Sequence, residues 1–317
     1  MNTQEKQNTE KSFEMVSVDD FLEDVAYQKM KKMLHEKVGL NFNGYRGAYL
    51  KRRFAIRLRA TRTYTYRRYV RYLQKNPAEY DLIIDNLVIN YTTFFRDKDV
   101  YVYLEKTVFP SLFKSRNLKI WSAGCASGEE PYSLAILIHE ILGKKLPHYE
   151  VKIYASDLDE DALDKAVKAE YSRKQLNGMS DSLIAKYFST DGETYKVKDF
   201  VKKLVTFERH DLMKPSSQKN FDLILCRNVM IFFARESQEL VHMHFYDSLR
   251  EGGYLVIGKA EVMSGEPSEK FWCTDLNSRV YQKLFAGCCK SPVDLPVAKP
   301  DTLRLNSLVG GQWVVVQ

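Results

Sequence analysis

The stretch WSAGCASGEEPYS, Trp121 to Ser133, sets two glycines behind an apolar run and two carboxylates at the start of a helix-like segment. Glycine reaches positive φ without steric cost, so such a turn can bring backbone close to a guest. A dinucleotide loop would read G-x-G-x-x-G, and a phosphate-cradling loop would end in Gly-Lys-Ser/Thr. This loop is neither. Glu129 and Glu130 stand where a helix N-terminus would otherwise meet a phosphate. Carboxylates there suit the helix dipole but repel a pyrophosphate, so the guest is expected to be neutral or cationic at this point.

S-Adenosyl-L-methionine meets that condition, with an ammonium, a sulfonium and no phosphate. Asp157, closing VKIYASD, would be placed to accept hydrogen bonds from a ribose. Its plainer alternative is to cap the next helix. Asn228 in LCRNVMIFF follows buried β residues and is either a ligand contact or a turn residue. Upstream, NYTTFFRD (90–97) interleaves Asn90, Thr92 and Arg96 with Phe94 and Phe95. A planar guanidinium at Arg96 could orient a carboxylate; the alternative is a surface ion pair of little consequence.

These groups need a sheet to gather them. LKIWSAG and VKIYASD read as buried strands, EEPYSLAILIHEIL and DEDALDKAVKAEY (159–171) as helices, and KLVTFERHD, FDLILCRN, GGYLVIG and SRVYQKLF as further strands. Alternating strands and helices predict a parallel sheet covered on both faces, with ligands beyond the strands' carboxyl ends. The Asp-Gly of YFSTDGETYKVKDF signals a hairpin, giving a small β-excursion at about 185–206. Residues 17–90 contain no good strand. Ser17 can cap a first helix carrying Phe21, Leu22, Val25, Met30, Met33 and Leu34, and helices are expected near 48–59, 64–74 and 78–89. The domain reading is a polar terminus at 1–16, a helical domain at 17–90, a cleft-lining linker at 91–100, the sheet domain at 101–285 and a proline-containing tail at 286–317.

With 44% apolar residues in 317, the chain can bury a large core. Its five cysteines form no C-x-x-C and its six histidines no H-x-x-x-H, so no metal is expected. No apolar run is long enough to span a bilayer, and the polar start is unlike a secretory signal. A cytoplasmic monomer is the expectation. The net charge of +7 is local: Arg46 to Arg71 holds ten Lys/Arg and no acid. That stretch is a surface for an acidic partner.

Taken together, NYTTFFRD, WSAGCASGEEPYSLA, ASDLDEDALDKA, FDLILCRNVMIFF and GYLVIGKAE resemble, in order and spacing, the CheR-type chemoreceptor glutamate methyltransferases over about residues 18–285. The resemblance implies an α/β, class I SAM-dependent methyltransferase (Rossmann-like) sheet with an inserted β-subdomain and a small all-α N-terminal domain. It implies a cofactor set of Asn90, Thr92, Arg96, Gly124, Glu130, Asp157, Asp211, Leu212, Asn228 and Val229. Three departures stand out: Asp211 where an amide is usual, Phe232 where many members have Tyr, and GKAE in place of Gly-His-Ser-Glu.

The implied chemistry is methyl transfer to a glutamate side chain of a methyl-accepting chemotaxis receptor, leaving S-adenosyl-L-homocysteine. A carboxylate is already ionised at neutral pH, so no general base is needed, in keeping with the lack of a His/Asp or Cys/His arrangement. Arg96 is the residue expected to orient it. Receptor methylation regions are Glu-rich helices in the family, and the basic helix, through Arg53 and Arg59, is expected to steer them. At helical spacing Lys51, Arg52, Arg59 and Arg62 would line that flank. Two alternatives are a class I methyltransferase acting on nucleic acid through this basic, tyrosine-bearing helix, and a non-enzymatic SAM-binding scaffold. The first lacks the Asn/Asp-Pro-Pro-Tyr or catalytic-cysteine arrangement of base methyltransferases.

Overall fold

Thr65 closes a loop by accepting the backbone N–H of Arg68, and the helix it starts packs Tyr69, Val70 and Leu73 inward. The computed structural model describes residues 17–38, 42–87 and 91–285, with short strands at 308–309 and 312–313. It divides into two units, at Val88 and Ile89. Asn90, residues 1–16 and most of the 286–317 tail lie outside the described residues.

The first unit has helices α1 (Val18–Val38), α2 (Gly47–Ala60), α3 (Tyr66–Lys75) and α4 (Glu79–Leu87). Ser17 caps α1 as expected, accepting the N–H of Asp20 at 3.0 Å. Only the later half of α1 is core, through Ala26, Tyr27, Met30 and Leu34. Phe21, Leu22 and Val25, expected inside, are exposed. The early half is held by polar groups instead: Asp19 pairs with Arg67, and Glu23 accepts the Tyr66 N–H. On α2, Leu50, Phe54 and Leu58 are buried while Lys51, Arg52 and Arg59 are exposed. Arg62, expected on the same flank, falls past the end of α2 with φ of 54°. Arg57 is not available to a partner, because it forms a two-point ion pair with buried Glu79, which also accepts the Tyr69 hydroxyl.

The second unit is built on a seven-stranded sheet. Its strands are β1 (Asn117–Ala123), β2 (Glu150–Asp157), β6 (Val205–Arg209), β7 (Phe221–Cys226), β8 (Leu249–Ile257), β9 (Phe271–Asp275) and β10 (Val280–Lys283), ordered β6-β2-β1-β7-β8-β10-β9. The pairings from β6 through to β8 are parallel, and β10 runs antiparallel to both β8 and β9. The order reverses at β1, which places a crevice between the ends of β1 and β7. Successive side chains of β1 serve opposite faces. Leu118 and Ile120 join the core of α7 (Glu129–Leu142), whereas Trp121 meets Phe221 and Phe245 of α11 (Arg235–Ser248). Ahead of β1, α5 (Lys98–Tyr103) runs through a π turn (Leu104–Val108) into α6 (Phe109–Leu112).

The helix expected over 159–171 is shorter. α8 (Glu160–Lys168) stops because Ala169 adopts the left-handed conformation, and the chain enters β3 (Glu170–Ser172). A separate antiparallel sheet follows, β3-β5-β4, from β4 (Phe188–Thr190) and β5 (Thr194–Val197), with α9 (Asp181–Tyr187) leading in. This excursion therefore begins upstream of residue 185, and Val205 already belongs to the main sheet. The remaining helices, α10 (Asp199–Lys202) and α12 (Pro267–Lys270), each span a single turn, and β11 (Leu308–Val309) pairs with β12 (Gln312–Trp313). Among the described residues no helix is long and apolar enough to cross a membrane, and no cluster of His, Cys, Asp or Glu is placed to hold a metal ion.

Removing one partner of a buried ion pair leaves the other charge uncompensated, at a cost of about 3–5 kcal/mol. Arg57 keeps some solvent access, so Glu79→Ala is expected to destabilise the helical unit by about 3 kcal/mol, read by urea unfolding of the full chain. The exposed Leu82→Ala serves as the neutral reference. A Glu79→Ala loss under about 1 kcal/mol would show that packing alone holds α2 on α4.

Candidate functional site

The chain leaves β1 through a loop whose backbone is fixed by its neighbour strand. Gly124 and Cys125 both donate to the Ser156 carbonyl, at 2.8 and 3.0 Å, and Ala126 donates to Asp157 Oδ2 at 2.8 Å. Gly124 sits at φ of 75°, and a Cβ there would lie 2.5 Å from Val229 Cγ2. The loop after β7 is thus packed directly against the glycine turn. Gly128, at φ of 91°, opens α7; a Cβ would meet Ala166 of α8 at 2.9 Å.

The two acids of the loop part company. Glu129 is buried and accepts from Ser127 Oγ at 2.7 Å and Gln175 Nε2 at 2.8 Å, which ties the loop to the segment after β3. Glu130 accepts from Ser122 Oγ at 2.8 Å and Arg227 Nη1 at 3.3 Å. Burial raises the pKa of both carboxyls; Arg227 opposes this at Glu130, and hydrogen bonds from Ser127 and Gln175 oppose it at Glu129.

Asp157 does not cap α8. Asp159 does, accepting from Asp161 and Ala162 at 2.9 and 3.2 Å. The Asp157 carboxylate instead spans the Ala126 and Asp159 N–H groups, and burial lifts its pKa against those bonds. His210 donates its N–H to the Asp157 carbonyl at 2.9 Å, which sets Asp211 and Leu212 beside the same strand end. Asp211 Oδ1 accepts from Met213 at 3.0 Å, so the acid that replaces an amide is partly used in its own turn. Asn228 is left-handed, with φ of 63°, and its buried Oδ1 has no hydrogen-bond partner among the described residues. Its loop is pinned by buried Glu261, the acid of GKAE, which accepts from Met230 and Gly258 at 2.8 and 2.5 Å.

Arg96 lies on the strap that precedes α5. Phe95 and Asp97 both have positive φ, 51° and 56°, a conformation costing a residue with a Cβ about 1–2 kcal/mol. The strap is held by Phe94 N–H to the Gln175 carbonyl (3.3 Å), Phe95 N–H to Ser133 Oγ (2.9 Å), and Arg227. Arg227 Nη2 reaches the Arg96 carbonyl at 2.8 Å and Asp97 Oδ2 at 2.7 Å. The Arg96 guanidinium donates to the Tyr91 carbonyl at 3.1 Å and lies near enough to Glu130 to favour its ionised form. Thr92 is half-buried on the same strap.

Gly124, Glu130, Asp157, Leu212, Asn228, Val229 and Arg96 thus share one end of the sheet. Arg53 and Arg59 belong to α2 of the other unit, where Arg59 is exposed and Arg53 is half-buried over the Tyr49 ring. Arg227, Asp97, Ser122 and Gln175 escaped the sequence reading. A signal existed for Arg227: an arginine directly continuing a strand whose six residues are all buried needs a carboxylate partner.

Buried acids, a glycine cradle closed by Val229 and an orphaned amide oxygen suit a cationic guest with a polar nucleoside better than a pyrophosphate. The comparisons agree. The CheR methyltransferase SAM binding domain matches residues 90–280, and the CheR methyltransferase all-alpha domain matches residues 26–88. A chemotaxis protein methyltransferase of Listeria innocua is 35% identical over 246 residues, covering 77% of this chain and 92% of its own. One from Borreliella burgdorferi is 30% identical over 254 residues, covering 77% and 90%. Chemotaxis protein methyltransferase 2 of Vibrio cholerae is 30% identical over 251 residues, covering 76% and 86%. The chain belongs to the CheR methyltransferase family, a class I methyltransferase sheet joined to an all-α domain, with S-adenosyl-L-methionine as its cofactor.

Proposed function

We propose that the protein methylates glutamate side chains of chemoreceptor cytoplasmic helices, forming methyl esters. One observation carries the reading: at the end of the sheet buried acids stand beside the strap that bears the Arg96 guanidinium, and no His–carboxylate hydrogen bond is made there among the described residues. A substrate that is already nucleophilic needs no such proton-transfer pair. A glutamate, with a free pKa of about 4.3, qualifies at neutral pH. The cofactor supplies the methyl group on its sulfonium, and S-adenosyl-L-homocysteine is the product.

In this reading Glu130 faces the positive end of the cofactor, and Asp157 takes the ribose hydroxyls on the lone pairs its two backbone partners leave. Asn228, with its orphaned oxygen, Val229, Asp211 and Leu212 line the remainder of the site, and Thr92 completes it from the strap; the family resemblance adds Asn90 to the set. Arg96 orients the incoming carboxylate. Catalysis is then alignment and exclusion of water from the reacting oxygen. Arg53 and Arg59, with exposed Lys51 and Arg52, give α2 a field that draws a Glu-rich helix. Methyl transfer to nucleic acid is the competing outcome for the same basic surface.

Labelled cofactor with a receptor cytoplasmic fragment, against RNA, separates the two. Base-labile label on the receptor is expected; label confined to RNA would refute the reading. Arg96→Ala is expected to lower kcat by about 100-fold, and Asp157→Ala to weaken cofactor binding by about 10-fold, measured by calorimetry. Normal transfer by Arg96→Ala would remove its orienting role.

Reversing charge at Arg53 and Arg59 together is expected to raise the receptor KM about 10-fold and to leave cofactor affinity unchanged. An unaltered KM, with the melting temperature preserved, would make the basic helix a merely solvated face. Cofactor affinity should also depend on pH. Burial raises the Glu130 and Asp157 pKa values, so binding is complete above them and is lost as pH falls through them. That loss should begin at higher pH than ordinary carboxylates would give. A Kd that stays flat down to the ordinary carboxylate range would show that neither acid meets the cofactor as a charge.

A further inference from the structure

Asp97 occupies the N-cap position of α5, yet its side chain makes no cap hydrogen bond. An aspartate there ordinarily accepts an N–H of the first turn. Its carboxylate is instead turned to Arg227, at 2.7 Å, and the same Nη2 holds the carbonyl of Arg96 at 2.8 Å. The other arm of the guanidinium reaches Glu130 at 3.3 Å, and the group lies over the Tyr101 ring at 5.7 Å. The Arg227 side chain is 2% exposed. A planar fork of this kind holds its three acceptors in fixed directions, whereas the donors of an ammonium rotate.

We propose that Arg227 is a positioning residue for methyl transfer, locking the strap that carries Arg96 to the acid of the glycine loop. The lock acts on backbone: it grips the Arg96 carbonyl and the residue after it, both within a turn with positive φ at Phe95 and Asp97. Such a turn persists only where surrounding contacts over-determine it. With Arg227 in place, the Arg96 guanidinium projects from a fixed point. Without it, the strap keeps its contacts at Phe94 and Phe95 but loses the two that hold the Arg96 carbonyl and the Asp97 carboxylate. Arg227 also supplies the cation that buried Glu130 needs before any cofactor arrives.

This rests on the orienting role of Arg96, so the experiment measures Arg96→Ala alongside. Full-length Asp97→Asn, Arg227→Gln, Arg227→Lys and the Asp97→Asn/Arg227→Gln double variant are assayed with labelled cofactor and a receptor cytoplasmic fragment. Cofactor Kd, receptor KM and melting temperature are recorded for each. Asp97→Asn is the decisive variant, because it loosens the strap while leaving Glu130 its partner and costs no helix cap. It is expected to lower kcat at least about 10-fold with Kd and KM unchanged and a fall in melting temperature too small to unfold the chain at the assay temperature. The double variant should be no slower than Arg227→Gln alone, within about twofold, since both break one lock. Arg227→Lys should recover cofactor binding, through Glu130, but not kcat.

If Arg96→Ala is inactive and Asp97→Asn turns over normally, the lock is refuted while the orienting role stands. Additive losses in the double variant refute it equally. Normal turnover by Arg96→Ala removes both. Should Arg227→Gln fail to fold, Asp97→Asn still decides.

Discussion

A carboxylate taken out of water must find a cation or a set of donors, and the end of this sheet is arranged around that need. Glu130, at the first turn of α7, finds Arg227 across from the end of β7. The same guanidinium reaches the strap before α5. Segments far apart in sequence are drawn to one point by one buried charge. Elsewhere the sheet's carboxyl ends use backbone donors: Asp157 takes two N–H groups and Glu261 two more. Each acid therefore fixes a loop, and the loops together define the cleft.

The order of the strands explains why these loops can meet. β1 lies between β2 and β7, so its glycine turn touches Asp157 on one side and Val229 on the other. The side chains of β1 then feed two cores. Ile120 packs under α7, and Trp121 under α11. A one-residue slip would send Trp121 toward α7 and Ile120 toward α11, a volume mismatch that both packed cores resist, so the cradle at the end of β1 is held in place.

Much of this was legible. The helix at 129–142, the strands around it and the helical first unit follow from periodicity and turn residues. The capping alternative for Asp157 was also open to a sequence reading, since Asp159 stands two residues on and takes that duty. What periodicity does not carry is partnership over long separations. Glu129 and Glu130 are chemically alike and adjacent, and only the fold sends one to Gln175 and the other to Arg227. The exposed early half of α1 escaped for a related reason. Apolar spacing marks a face, but whether anything covers that face depends on the other helices. The premature end of α8 turns on a left-handed alanine that no composition rule flags.

The contact between Gly128 and Ala166 of α8, with Tyr171 of the edge strand β3 donating to the Ser127 carbonyl at 2.7 Å, joins the glycine loop to the near edge of the small sheet. The outer turn of that sheet, at Asp191 and Gly192, carries no such tie; its hydrogen bonds are local. The insertion is therefore anchored along β3 and free at its outer turn. Substitutions at the tip, Asp191 to Glu193, leave those ties alone, whereas Phe188 at the start of β4 packs edge-to-face on Phe94 of the strap, with ring centroids 5.3 Å apart. Volume added at Ala166 or Tyr171 has no such freedom, since it presses on the first turn of α7.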